Sequence, residues 1–112
     1  MSSFSEKGLL GELEQLVLLA VMRLDDEAYA PAVRDEIHTQ TAIDLGRTSV
    51  YVTLDRLERK GYVASRFGDP TPERGGKAKR YFIVTNAEQR ALAAAADAIA
   101  RMRRPRLARH RA

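Results

Sequence analysis

Residues 62–85 interrupt an otherwise helical spacing pattern with strand-like sequence, and this interruption limits the folds open to the chain. Tyr62 to Phe67 and Arg80 to Thr85 are rich in β-branched and aromatic residues. The 12 residues between them hold three glycines and two prolines, which predicts a β-hairpin with a long tip. Three helical patterns precede the hairpin and one follows it. The order helix, helix, helix, strand, strand, helix predicts an α+β, mainly helical fold.

The first helix is predicted from Gly11 to Asp25, where Leu13, Leu16, Val17, Ala20, Val21 and Leu24 repeat at three-and-four spacing. Leu18, Leu19 and Met22 make its other side apolar too, so it needs more than one neighbour. Asp25-Asp26-Glu27 ends it, and Pro31 suits the first turn of a second helix anchored by Val33 and Ile37. After a connector from Thr41 to Gly46, Thr48 or Ser49 can cap a third helix that ends at Gly61. Val50, Leu54 and Leu57 of this helix are expected to face inward, with Ser49, Val52, Thr53, Arg56 and Lys60 outward. A capping box, Thr85 with Glu88 or Asn86 with Gln89, opens the final helix, along which Leu92, Ala95, Ala96, Ile99 and Met102 recur. The expected organisation is a flexible leader over 1–8, one domain over 9–86, a C-terminal helix over 87–104 and a basic tail over 105–112.

At 112 residues the chain fits a single domain with a modest core. It has no cysteine, which excludes disulfides, thiolate metal sites and cysteine nucleophiles. The longest apolar run, Leu16 to Met22, is far below the ~18 residues of a membrane span, and the N-terminus lacks a signal-peptide layout, so a soluble, cytoplasmic protein without membrane partners is expected. The net charge of +4 conceals a strong segregation. Residues 1–46 carry 3 basic and 9 acidic side chains, residues 47–80 carry 9 and 4, and residues 101–112 carry 6 and none. A polyanion would be repelled by the first stretch and drawn to the other two.

The residues in the basic stretch fit nucleic-acid chemistry. A helix enters the DNA major groove only if its outer face is small, polar or basic. The third helix opens on Arg47-Thr48-Ser49, whose free backbone N–H groups also suit phosphate, and continues with Tyr51, Thr53 and Arg56. Tyr51 fits either the edge of the core or DNA, and Asp55 with Arg59 fits an i, i+4 ion pair. The hairpin tip adds Arg74, Gly75, Gly76, Lys77, Lys79 and Arg80, in which a flexible double glycine lets four cations approach a phosphate track. It reads as a wing, with double-stranded DNA as the partner. Ser49, Thr53 and Arg56 are expected at base edges, and Arg47, Arg74, Lys77, Lys79 and Arg80 at phosphates. Catalytic chemistry finds no nucleophile–base pair. His38 and His110 lack organised partners, Asp25-Asp26-Glu27 reads as a solvated turn, and no metal or cofactor is expected.

The segment Ser49-Val50-Tyr51-Val52-Thr53-Leu54-Asp55-Arg56-Leu57-Glu58-Arg59-Lys60-Gly61-Tyr62-Val63 resembles the recognition helix of the PadR family of transcriptional regulators. Arg74 to Phe82, followed by Val84-Thr85, is similar to that family's wing and return strand, and Leu10 to Leu24 to its first helix. The resemblance implies a winged helix-turn-helix with a C-terminal dimerisation helix, working as a dimeric repressor that a small molecule releases in some members. Three positions depart from the family pattern: Ala30-Pro31 in place of a glycine after the tyrosine, Val52 where proline is frequent, and Glu88 where glycine is common. The chain resembles the short branch of the family that lacks a large C-terminal domain.

Dimerisation also has support in the residues themselves. Seven alanines between 91 and 100 give a slim surface, with Ala95 and Ala96 allowing close approach and Leu92, Ile99 and Met102 supplying larger contacts. Leu13 and Val17 on the first helix are expected to join this homodimer interface. A small apolar or aromatic effector would fit between these helices. A twofold axis would set two recognition helices about 34 Å apart and call for an inverted-repeat operator. The alternative reading is a winged-helix protein-interaction module without specific DNA binding.

Overall fold

Helix α1, Glu12–Leu24, starts where Gly11 supplies an extended N-cap, and the Gly11 N–H donates to the Glu14 carboxylate at 3.0 Å. This is half of a capping box, because glycine has no side chain to return the bond. The computed structural model describes residues 9–68 and 78–105. Residues Val17, Leu18, Ala20 and Val21 of α1 are buried, and a 3-10 turn, Asp25–Glu27, follows. Helix α2, Ala30–Thr41, carries Pro31 in its first turn and buries Val33 and Ile37. It ends at Ala42 in the left-handed region, φ 64°, whose N–H donates to the His38 carbonyl at 2.8 Å.

Helix α3, Arg47–Arg59, buries Val50, Thr53, Leu54 and Leu57. Its end is a Schellman turn: Gly61, at φ 85°, donates to the Glu58 carbonyl and Tyr62 to the Leu57 carbonyl, each at 3.0 Å. The turn feeds strand β1, Val63–Phe67, which pairs antiparallel with β2, Arg80–Val84, in the register Val63↔Val84 to Phe67↔Arg80. Tyr29 adds a single bridge to Tyr81, and the Phe82 N–H donates to the Ala28 carbonyl at 2.8 Å, so the sheet is tied to the start of α2.

Helix α4, Asn86–Arg103, hangs directly on the end of α3. Thr85 donates its N–H to the Tyr62 carbonyl at 2.9 Å and its Oγ1–H to the Gly61 carbonyl at 2.7 Å. Ala91 and Ala95 of α4 then join Val17, Leu18, Leu54, Leu57 and Phe82 in one core. A two-stranded wing behind three helices, followed by a long fourth, is the mainly helical winged-helix arrangement expected from the sequence. No helix among the described residues is long and apolar enough to cross a membrane.

Several local expectations are corrected. Neither Thr48 nor Ser49 caps α3, which begins one residue after Gly46 with no side-chain cap. The capping box at α4 does not form: no side chain caps the helix, and the Thr85 hydroxyl is turned across the fold to donate to the Gly61 carbonyl. Among the proposed dimer contacts, Val17 is 0% exposed and Ala95 is 2% exposed, so both fill the chain's own core and are closed to a partner. Leu13 and Leu92 are partly buried against that core, whereas Ala96, Ile99 and Met102 lie exposed. The leader and all of the basic tail beyond Pro105 lie outside the described residues.

Glu88, released from capping, is fully buried, and its two carboxylate oxygens have no hydrogen-bond partner among the described residues. Burial raises its pKa above the ordinary 4.5. The folded chain therefore holds this proton more tightly than the unfolded chain does, and stability falls as pH rises from about 4.5 through the raised value. Glu88→Gln is expected to raise the melting temperature at pH 7, with the gain vanishing on acidification below about 4.5. Thermal melts of both proteins across that range check it, and a gain independent of pH would mean that Glu88 is not the titrating group.

Candidate nucleic-acid interface

The first turn of α3 is open. Gly46 offers no side chain to the leading N–H groups, and Arg47, Thr48 and Ser49 all lie exposed around them. The incoming turn is held from behind, where Arg34 Nε donates to the Leu45 carbonyl at 2.7 Å and Ile43 N–H to Thr41 Oγ1 at 3.1 Å. Tyr51 and Arg56 continue the exposed face along the helix. Arg47, Thr48 and Tyr51 also border a hollow of about 300 Å³ with Ala30 and Pro31 of α2. This end of the helix-turn-helix thus combines positive charge, hydroxyls, unpaired backbone donors and an aromatic edge, a combination suited to a polyanion.

Thr53 does not belong to this face. It is buried, and its hydroxyl donates to the Ser49 carbonyl at 2.8 Å, one turn back along the helix. Lys60, expected to point outward, instead donates to Glu14 at 2.8 Å and ties α3 to α1. Burial would raise the Glu14 pKa, but the Lys60 and Gly11 hydrogen bonds outweigh it and hold the carboxyl below its ordinary value. The Asp55–Arg59 pair forms at 2.9 Å, as expected.

At the base of the wing, Lys79 Nζ sits 4.6 Å above the centre of the Tyr29 ring, and the Arg66 guanidinium sits 4.9 Å above that of Tyr81. The two rings pack against each other at 5.7 Å. Arg66 was not among the expected contacts. The hairpin register, which sets it opposite Tyr81, is the signal that would have singled it out. Gly68 passes so close to Tyr81 that a Cβ there would lie 2.8 Å from the ring, so glycine fits where a larger residue would push the aromatic pair apart. Arg74, Gly75, Gly76 and Lys77 of the tip lie outside the described residues.

Arg80, expected at a phosphate, is engaged by side chains of the fold itself. Its Nη2 donates to Glu58, its Nη1 to the Tyr51 hydroxyl at 2.7 Å and its Nε to Ser65 Oγ at 3.2 Å, with Asp55 at 3.7 Å. Burial alone would lower its pKa, and the bonds to Glu58 and Tyr51 more than offset this and raise it.

The sequence pattern of the Transcriptional regulator PadR-like family matches residues 18–94, which run from within α1 to within α4. The chain belongs to the PadR-like family. It is accordingly a PadR-family transcriptional regulator, a class that acts through DNA and does not catalyse a reaction. The fold is similar to that of a PadR family transcriptional regulator from Eggerthella lenta, at 24% identity and a TM-score of 0.56, over 81% of this chain and 76% of that one. It is also similar to a protein of Thermoplasma acidophilum assigned to transcriptional regulation, at 17% identity and a TM-score of 0.64, over 81% of this chain and 85% of that one. No curated protein matches the chain significantly.

Proposed function

We propose that this PadR-family chain is a cytoplasmic, dimeric repressor that reads an inverted-repeat operator with α3. The observation that carries the reading is the uncapped start of α3, where Arg47, Thr48, Ser49, Tyr51 and Arg56 share one exposed surface beside the cationic base of the wing. Ser49 and Arg56 approach base edges, while Arg47 and Lys79, with Arg74 and Lys77 of the tip, hold phosphates and Gly75-Gly76 lets the tip come close. The exposed Ile99 and Met102 of α4, with Leu19 and Met22 of α1, supply the apolar surface of the dimer. A hollow of about 380 Å³ lined by Leu16, Leu19, Ile43 and Ile99, with Glu12 and Gln15 at its polar side, is continuous with that surface and suits a small, mainly apolar or aromatic effector that would release repression.

Fluorescence anisotropy with the chain's own upstream DNA and a scrambled duplex, at two salt concentrations, tests this reading. Preference for the upstream duplex is expected, with log affinity falling against log salt at a slope of roughly −5 if about six phosphates are neutralised per dimer. Equal binding to both duplexes would reduce the protein to a basic surface. Failure to bind either would point to protein interaction as its role.

A further inference from the structure

The wing and α3 meet at one partly buried polar knot. The Arg80 side chain is only 21% exposed, and its guanidinium sits 4.9 Å above the Phe82 ring and spends donors on Glu58, Ser65 and Tyr51. Ser65 in turn donates to the same Glu58 carboxylate at 2.8 Å. Glu58 and Tyr51 belong to α3, Ser65 to β1 and Arg80 to β2, so four side chains fasten three elements at one point. With the Glu58 and Asp55 carboxylates beside it, the Arg80 charge is already neutralised and adds little attraction toward a polyanion.

The Tyr51 hydroxyl has one hydrogen and accepts from Arg80, so its own hydrogen is left for an acceptor on the exposed side, where the ring is 46% exposed. We propose that Arg80 is a positioning residue, not a phosphate contact: with Glu58 and Ser65 it locks the wing to α3 and sets Tyr51 as a hydrogen-bond donor to a DNA phosphate. The proposal rests on the DNA-binding reading above and adds to it a role for an acidic residue, Glu58, in holding a polyanion.

The test uses the full chain and the variants Arg80→Gln, Glu58→Gln, their double and Tyr51→Phe, each in anisotropy titrations with upstream and scrambled duplexes at two salts. Arg80→Gln is expected to weaken binding about tenfold with an unchanged salt slope, whereas loss of a phosphate contact would make the slope shallower by about 0.9 per protomer. Glu58→Gln is expected to weaken binding as well. Coulomb's law alone predicts the opposite sign, since a negative charge beside DNA is removed. Tyr51→Phe, an exposed change that leaves the core intact, is expected to weaken binding to both duplexes severalfold, through one lost donor.

A shallower slope for Arg80→Gln, tighter binding by Glu58→Gln, or unchanged binding by Tyr51→Phe overturns the proposal. Should the parent chain bind neither duplex, the functional reading fails, and with it the role of Tyr51 toward phosphate. The knot itself is judged separately by thermal melts. A locked pair predicts that the double variant melts no lower than the worse single variant, and additive losses would overturn the lock.

Discussion

Exchanging Ile99 and Met102 together for aspartate is expected to leave a folded monomer that binds an inverted repeat at least about 100-fold more weakly than the parent chain. The two side chains are three apart on α4 and share a face. Met102 is 85% exposed and Ile99 is 51% exposed, so neither holds up the chain's own core. A dimer on two half-sites binds the second one intramolecularly, and separating the protomers removes that gain without touching α3. Sedimentation velocity gives the oligomeric state, and titration of a full operator against a single half-site gives the rest. Retained half-site affinity with lost operator affinity is the expected pair of results, whereas a variant that stays dimeric would move the interface to another surface.

Phe82→Ala is expected to cost about 3–5 kcal/mol, a large share of the stability of about 5–15 kcal/mol that a small domain has. Phe82 is 1% exposed, lies beneath the Arg80 guanidinium and belongs to the same buried core as Val17, Ala28, Leu54 and Leu57, so its ring helps hold the sheet to the helices. A fall in melting temperature of about 15 °C or more follows from the usual few degrees per kcal/mol in domains of this size. Phe67, one strand away and 69% exposed, is the control, because its replacement by alanine is expected to change stability by less than about 0.5 kcal/mol. Equal losses at the two positions would falsify the account of where the core lies.

The helices and the hairpin were legible because their signals are local: spacing, Pro31 in a first turn, Gly61 past a helix end. Thr53 shows that residue type can mislead where spacing does not. It lies three after Val50 and one before Leu54, inside the stripe that Val50, Leu54 and Leu57 define, yet a threonine on a basic helix invites assignment to DNA. Its hydroxyl is satisfied one turn back along the helix, and so burial costs little. Val17 and Ala95 were misassigned for another reason. Where a helix carries more apolar or small residues than one face requires, nothing in the sequence says which of them face its own core and which a partner. Lys60 and Arg80 found partners 46 and 22 residues away, in Glu14 and Glu58, and pairings of that range do not show in a single sequence.

The two hydrogen bonds from Thr85 to the end of α3 make residues 61, 62 and 85 a pivot between α4 and α3. Helix α4 has 18 residues and is about 27 Å long, so a tilt of about 10° at that pivot swings its far end by about 5 Å. On the proposed reading, a small molecule wedged between α4 and α1 at Ile99 would push on the long arm of a lever whose short arm is Gly61, and a few ångströms of displacement there would turn the junction with α3 by a few degrees. Because matching successive grooves needs two such helices at a fixed separation, that rotation alone would put the proposed dimer out of step with an inverted repeat.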